Sequence, residues 1–270
     1  GPFNVCGGDG KAGNVIGLDA VMLTATTCVL AYSINGTVYA KLLSGLDVGV
    51  TQNAELSVAS SDSCTIDKVS ATELVCAYYL AADKVQAKQI TVSGTTLSNG
   101  TTSTVFSTAT TQTVSSIKAF SGTSTYMVLF SDATTLRAIA GTYSAGALTV
   151  GTEITLEAFL AYTSFILTHS ATKSVAGYTR NSSGAVSSSV ISLSGTTTLT
   201  EGATLAIGTQ AGGQQASFHK IGTYSFLVSY PETSGTEAYE IKLLRLADTS
   251  LTVVDTLAFN PGLNDDTVMA

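Results

Sequence analysis

Glycines recurring every 51 residues, an apolar strand ending in an aromatic five times over, and the absence of a 3.6-residue helical period predict an all-β chain. The architecture they specify is a five-bladed β-propeller of four-stranded repeats, each roughly 50 residues long. The glycines are Gly49, Gly100, Gly151 and Gly202. Each follows a turn of Ser-Gly type: Ser44-Gly45, Ser93-Gly94, Ser144-Ala145-Gly146 and Ser194-Gly195. A fifth copy, Asp248-Thr249-Ser250, arrives on schedule without its glycine. Glycine at a fixed register reads as one backbone turn used repeatedly.

Each unit opens on a first strand, as at Leu18–Leu23, Thr65–Val69 and Ser164–Thr168. The second strand is the most apolar and ends in Tyr32, Tyr78, Phe130, Tyr178 or Tyr230, at spacings of 46, 52, 48 and 52. Near-continuous apolar runs fit strands covered on both faces. These aromatics read mainly as blade-to-blade packing, with a sugar-stacking platform in each blade as the alternative. Polar hairpins follow, among them Asn35-Gly36 and Asn181-Ser182-Ser183-Gly184, with the turn chemistry that supplies positive φ. Third strands run through Val38–Leu43, Val85–Val92, Leu136–Tyr143, Val186–Leu193 and Tyr239–Leu246. Fourth strands follow the glycines, at Ala54–Val58, Thr101–Phe106, Thr152–Leu156 and Ala203–Ile207.

The expected organisation is an N-terminal segment (1–17), then blades at 18–60, 61–108, 109–158, 159–209 and 210–262. Residues 263–270 repeat the flavour of Gly17–Met22 and read as a closing strand or the start of a further repeat. The chain begins at Gly1-Pro2 without Met or a signal peptide, as a mature form, an excised piece or a partial chain would.

Composition narrows the function classes. Charged residues are 11% of the chain and the net charge is −7, with Lys and Arg scattered singly. Clustered cations are what phosphate backbones require, so nucleic acid is an unsuitable partner. No apolar run approaches the roughly 18–20 residues of a membrane-spanning helix. Ser and Thr make up 74 of 270 residues, giving an uncharged, hydroxyl-rich surface. Cys6, Cys28, Cys64 and Cys76 form no CxxC pair and have no His nearby, which argues against zinc. Their even number points to two disulfides in an oxidising compartment, with buried free thiols as the alternative.

The strand ending in Tyr, the polar hairpin, and the segments Val92–Leu97 (Val-Ser-Gly-Thr-Thr-Leu) and Leu193–Leu199 are similar to the degenerate propeller repeats of secreted and surface proteins. The likeness spans residues 18–260, and in blade length it resembles the five-bladed lectins of the tachylectin type. It implies the propeller fold and a binding role. The sequence departs from that lectin type in having no Trp, so the sugar-stacking Trp has no counterpart. It also lacks the Gly-His and Trp-Asp pairs of tryptophan-aspartate repeats and the Asp-rich calcium loop of integrin-type repeats.

Candidate chemistry is sparse, and neither a cofactor nor a metal is expected. Gly8–Gly13 matches GxGxxG, but no helix start or ribose-binding acid follows, so it reads as a loop. His169 and His219 follow first strands without converging carboxylates and read as turn or interface residues. Asp19 and Asp67 sit at comparable first-strand positions, the best placed for a glycosidase channel, which would need a third acid. Sequons at Asn35, Asn99 and Asn181 fall in expected turns. The hairpin residues Asn35, Asp83, Asp132, Asn181 and Glu232 are the candidate ligand-binding set. The expectation is a non-enzymatic extracellular or cell-surface recognition module, binding a glycan or a protein through its loops. A structural subunit of a surface appendage or larger assembly is the first alternative, a glycoside hydrolase the second.

Overall fold

The structure is a computed structural model that describes residues 15–80, 84–107, 113–120, 122–132, 134–144, 147–158, 161–180, 183–210, 216–231 and 239–259. The Gly8–Gly13 loop, Cys6, Asp83, Asn181, Glu232 and the expected closing strand at 263–270 lie outside the described residues.

The chain folds as five antiparallel sheets in sequence order. The first holds β1 (Val15–Thr24), β2 (Thr27–Ile34), β3 (Thr37–Ser44) and β4 (Thr51–Ala59). The second holds β5 (Cys64–Lys68), β6 (Glu73–Leu80), β7 (Lys84–Ser93) and β8 (Thr96–Ser107). In the third, β9 (Thr113–Ala119), β10 (Thr125–Ser131) and β11 (Leu136–Ser144) are followed by a fourth strand in two pieces, β12 (Ala147–Val150) and β13 (Ile154–Glu157). The next sheet repeats this with β14 (Ala161–Thr168), β15 (Lys173–Arg180), β16 (Ala185–Ser194), β17 (Thr198–Glu201) and β18 (Leu205–Thr209). The fifth holds β19 (Ser217–Lys220), β20 (Ser225–Pro231), β21 (Tyr239–Ala247) and β22 (Ser250–Phe259). Every neighbour is joined by a short antiparallel connection, which makes a β-propeller of the repeat the sequence displays.

Among the described residues, four buried clusters each join two successive sheets. Alternation assigns the residues: Val29 and Ala31 of β2 meet Ile66 and Cys76 of the second sheet, while Val175 of β15 meets Phe226 and Val228 of the fifth. The aromatics that end the second strands are all buried. Tyr78, Phe130, Tyr178 and Tyr230 each pack on the sheet that precedes their own. Their rings serve blade packing and are inaccessible to a sugar. Three of the phenols end on carboxylates: Tyr32 Oη donates to Glu55 at 2.5 Å, Tyr178 to Glu157 at 3.2 Å, and Tyr230 to Glu240.

Two members of the glycine ladder, Gly151 and Gly202, have a different cause from the one the sequence suggests. Positive φ belongs to the turn residues Gly45, Gly94 and Gly195 (71°, 58° and 62°), and Asp248 adopts it at 53° in the fifth copy. Gly151 and Gly202 instead interrupt a fourth strand where the next sheet presses on it. A Cβ at Gly151 would lie 2.3 Å from the Thr197 carbonyl oxygen, and one at Gly202 2.3 Å from that of Thr249. At Gly151 and Gly202 the spacing therefore records contact between a strand and the following sheet's turn, whereas Gly49 takes a φ of 153° with nothing near it and Gly100 faces the Gln89 side chain of its own sheet.

Among the described residues the expected disulfides are absent. Cys28, Cys64 and Cys76 are buried free thiols, and two bridges among four cysteines would have to pair two of these three. Cys64 lies across from Tyr78 and Cys76 across from Ile66, so the two thiols are diagonal neighbours on one face. That places their Cβ atoms roughly 7 Å apart, against the roughly 4 Å a disulfide needs. Cys28 sits next to Val29 and so points to the opposite face of its sheet.

Candidate functional site

The first strands β1, β5, β9, β14 and β19 each have one edge paired in their own sheet and the other turned to the propeller axis. An edge strand leaves backbone donors and acceptors unpaired, and these need partners. Side chains of neighbouring blades supply them. Asp19 Oδ2 accepts from Ile66 N at 3.0 Å and from the Thr65 hydroxyl at 2.6 Å. One blade on, Thr65 Oγ1 accepts from Ile117 N at 3.3 Å. Asp67 Oδ2 accepts from Ala119 N at 2.6 Å. Thr168 Oγ1 donates to Ala119 O at 2.9 Å, and Lys220 Nζ to Thr168 O at 2.9 Å.

Asp19 and Asp67 are thus strand-edge caps, and they are not register equivalents. Asp19 pairs with Ala31 and matches Thr65, which pairs with Ala77; Asp67 pairs with Val75 and matches Val21, which pairs with Val29. Burial pushes the Asp67 carboxyl up, against the pull of Lys118 at 3.9 Å and of the Ala119 and Lys68 amides. Asp19 adds to the upward push through like charge.

At one end of the axis the first strands stop and a solvent-open cavity of about 500 Å³ begins, within the size range of small-ligand sites. Its walls come from four register-equivalent strand ends, Lys68, Ala119, Thr168 and Lys220, with Leu23 from β1. Its rim is the turn Val69–Ala71 together with Phe120, Gly122 and Thr123. The rim is rigid for a local reason. Each of these turns is bonded to the end of its sheet's third strand: Val92 N donates to Thr72 O at 2.8 Å and Tyr143 N to Ser124 O at 2.9 Å. The bonds recur in the other sheets, from Leu46 to Thr26, Leu193 to Thr172 and Leu246 to Tyr224. Asp67 is the one carboxylate among the described lining residues.

The hairpin candidates lie at the opposite ends of the second strands from this cavity. Asn35 is exposed in a two-residue turn with Gly36, both at positive φ (51° and 73°). Asp132 is buried, and its acceptors are filled by its own hairpin: the Thr134 and Thr135 amides at 2.8 and 2.7 Å, the Thr135 hydroxyl at 2.5 Å and Arg137 Nε at 2.8 Å. Burial opposes ionisation there, but these donors outweigh it and hold the carboxyl well below the usual range. Asp132 is a turn-builder whose lone pairs are already taken. Asn99 lies in β8 instead of a turn, donating its amide to Ser57 O at 2.9 Å. His169 Nδ1 donates to Thr223 O at 2.8 Å and its ring packs on Tyr224, while His219 is exposed on β19. Among the described residues no three His, Cys, Asp or Glu side chains gather as a metal site would need.

The cavity residues carry no local motif. What links Lys68, Ala119, Thr168 and Lys220 is their pairing register, each lying across from the residue four before the aromatic of the following strand, a signal available only once the repeats are aligned strand against strand.

No protein-family model matches the chain, and no curated protein matches its sequence. Among solved structures it is similar to the SapL1 lectin in complex with α-methyl fucoside (TM-score 0.55, 14% identity, 91% of this chain and 80% of that one). It is also similar to a candidate 6-phosphogluconolactonase of Bacteroides uniformis (TM-score 0.61, 11% identity, 88% and 69%). A third likeness is to the subtype N10 neuraminidase-like protein of A/little yellow-shouldered bat/Guatemala (TM-score 0.59, 9% identity, 93% and 85%). At these identities the likenesses show the propeller fold, which hosts lectins and enzymes alike.

Proposed function

We propose that the protein is a non-enzymatic recognition module that binds a glycan at the axial cavity. The observation that carries this reading is the cavity's make-up: a rim of hydroxyl-bearing turns, Ser70 exposed on it, beside the half-buried Val69. Sugars present both kinds of surface, and a pre-formed mixed pocket suits them. Asp67, the carboxylate that an acid–base mechanism would need, is engaged by Ala119 N and Lys118 and stands without a second lining acid among the described residues. The lectin likeness favours the same reading by analogy of fold. An extracellular setting belongs to the proposal and rests on the hydroxyl-rich surface, since the buried thiols no longer speak for it.

The test is a glycan-array screen of the purified chain, with its mass in solution measured by light scattering. Selective binding by a monomer supports the reading. Silence across the array would reject it and leave the second reading, a subunit of a larger assembly. That reading has its own observation: Tyr239, Val253, Val254 and Leu257 stand exposed on the fifth sheet. A concentration-dependent oligomer would favour it.

A further inference from the structure

Two lysines reach the axial cavity in a protein that carries a net charge of −7. Lys68 comes from the second sheet and Lys220 from the fifth, at equivalent positions of their first strands. Most other cations in the described residues are matched to acids: Lys41 to Glu55, Lys118 to Asp67, Lys173 to Asp248, Lys242 to Glu240, Arg137 to Asp132 and Glu153, and Arg180 to Glu157. Lys68 and Lys220 have no carboxylate within 4.0 Å among the described residues, and Lys220 is steered by the Thr168 carbonyl. Lys88 and Arg245 also have no carboxylate within 4.0 Å among the described residues, but Lys68 and Lys220 are the two cations among the described residues that line this concave site. There the low-dielectric walls focus their field. The lining carboxylate does not offset them, because Asp67 is turned to Lys118 and the Ala119 amide.

We infer that the axial cavity takes a saccharide bearing a negative charge, such as a uronic acid or a sugar sulfate ester, with the anion held by Lys68 and Lys220. The inference rests on the recognition reading above and sharpens its ligand class. Thr123 Oγ1 is held in its own turn by Phe120 O at 3.0 Å and the Thr125 amide at 3.1 Å. The exposed Ser70 hydroxyl, which reaches Glu73 at 3.4 Å, is then left for the neutral ring oxygens and the half-buried Val69 for the C–H face. Ammonium groups meet an anion as point charges, so geometry is tolerant and salt dependence is strong.

The experiment is titration calorimetry with four probes: glucuronic acid against glucose, and galactose 6-sulfate against galactose, at low and high salt. The expected result is that each acidic sugar binds roughly tenfold or more tightly than its neutral partner, and that salt weakens it. Lys68→Gln and Lys220→Gln should each abolish most of that difference. Lys68→Arg should keep it, and Lys173→Gln, away from the cavity, should leave it unchanged. All three lysines are at least partly exposed, and circular dichroism checks that the variants fold. Equal affinity for neutral and acidic sugars, or indifference to the Gln variants, would overturn the inference while leaving glycan recognition standing. Inorganic sulfate binding as well as galactose 6-sulfate would also overturn it, reducing the cavity to a general anion site. No binding of any sugar would overturn both readings.

Discussion

Gly202 lies under the carbonyl oxygen of Thr249, so close that a Cβ on the glycine would sit 2.3 Å from it. The two residues belong to different blades, and the contact recurs as Gly151 against Thr197. Gly202→Ala and Gly151→Ala should therefore each destabilise the fold by about 1–3 kcal/mol, since the obstructing atom is backbone and the blades must separate to admit a methyl group. Gly100→Ala provides the contrast. Its Cβ would meet the Gln89 side chain at 2.4 Å, and a flexible side chain can move. Urea denaturation of the three variants should place Gly100→Ala nearest to wild type. Equal losses at all three would show that strand propensity, not blade contact, sets the ladder.

The fold was legible because its strongest signals are local. Val75–Tyr78 and Met127–Phe130 are apolar on both faces, and only a strand sandwiched between two sheets keeps such a pattern in water. The ladder was visible too, but its cause was not: sequence shows that a glycine recurs, and only the neighbouring blade shows what it avoids. Asp132 could have been read correctly. Asp-Ala-Thr-Thr-Leu-Arg places two hydroxyls, their amides and a guanidinium within five residues of the carboxylate, which is turn-building chemistry. The axial cavity was illegible for a different reason. It draws one residue from each strand end, and Lys68, Ala119, Thr168 and Lys220 share a place in space without sharing a chemistry.

Acid should unfold the third blade's hairpin through Asp132. Its carboxyl is held below the ordinary value of 3.8, so it contributes stability above that pH and loses it as pH falls further. Asp132→Asn removes the charge and should cost about 2–4 kcal/mol at neutral pH, by weakening bonds to Arg137 and both threonines. Between pH 4 and pH 2 the variant should lose less stability than wild type. Thermal melts across that window decide it, and parallel curves would mean that Asp132 is not the group responsible.

The three described cysteines should behave as inert hydrophobic residues. Burial pushes the Cys64 thiol up to about 12 and the Cys76 thiol well above its usual range, with the Asp19 charge adding to both. Thiolate is the reactive form, so native protein carrying Cys6→Ser should react with a disulfide reagent only on the timescale of unfolding. Dithiothreitol should leave the melting temperature unchanged. Rapid labelling of a thiol in the folded state, or a large drop in melting temperature on reduction, would contradict the free, buried assignment.

Thr65 joins three blades at the axis. Its hydroxyl donates to Asp19 in the first sheet, accepts from Ile117 N in the third, and its own strand belongs to the second. Thr65→Val keeps the shape and removes both bonds, leaving the buried Ile117 amide unmet and the Asp19 carboxylate with one donor fewer. The expected cost is about 1–3 kcal/mol, larger than for an isolated hydrogen bond because the partners are left unmet. The loss should be local before it is global. Amide exchange at Ile117 should quicken in Thr65→Val while amides of the buried strand β10, on the far side of β9, stay protected. Thr65→Ser, which keeps the hydroxyl, should restore most of the protection. A double-mutant cycle with Asp19→Ala should show clear non-additivity, because both changes cut the same link. Additive losses would mean that the first and third blades are held independently, and the axial chain of caps would then have no cooperative role.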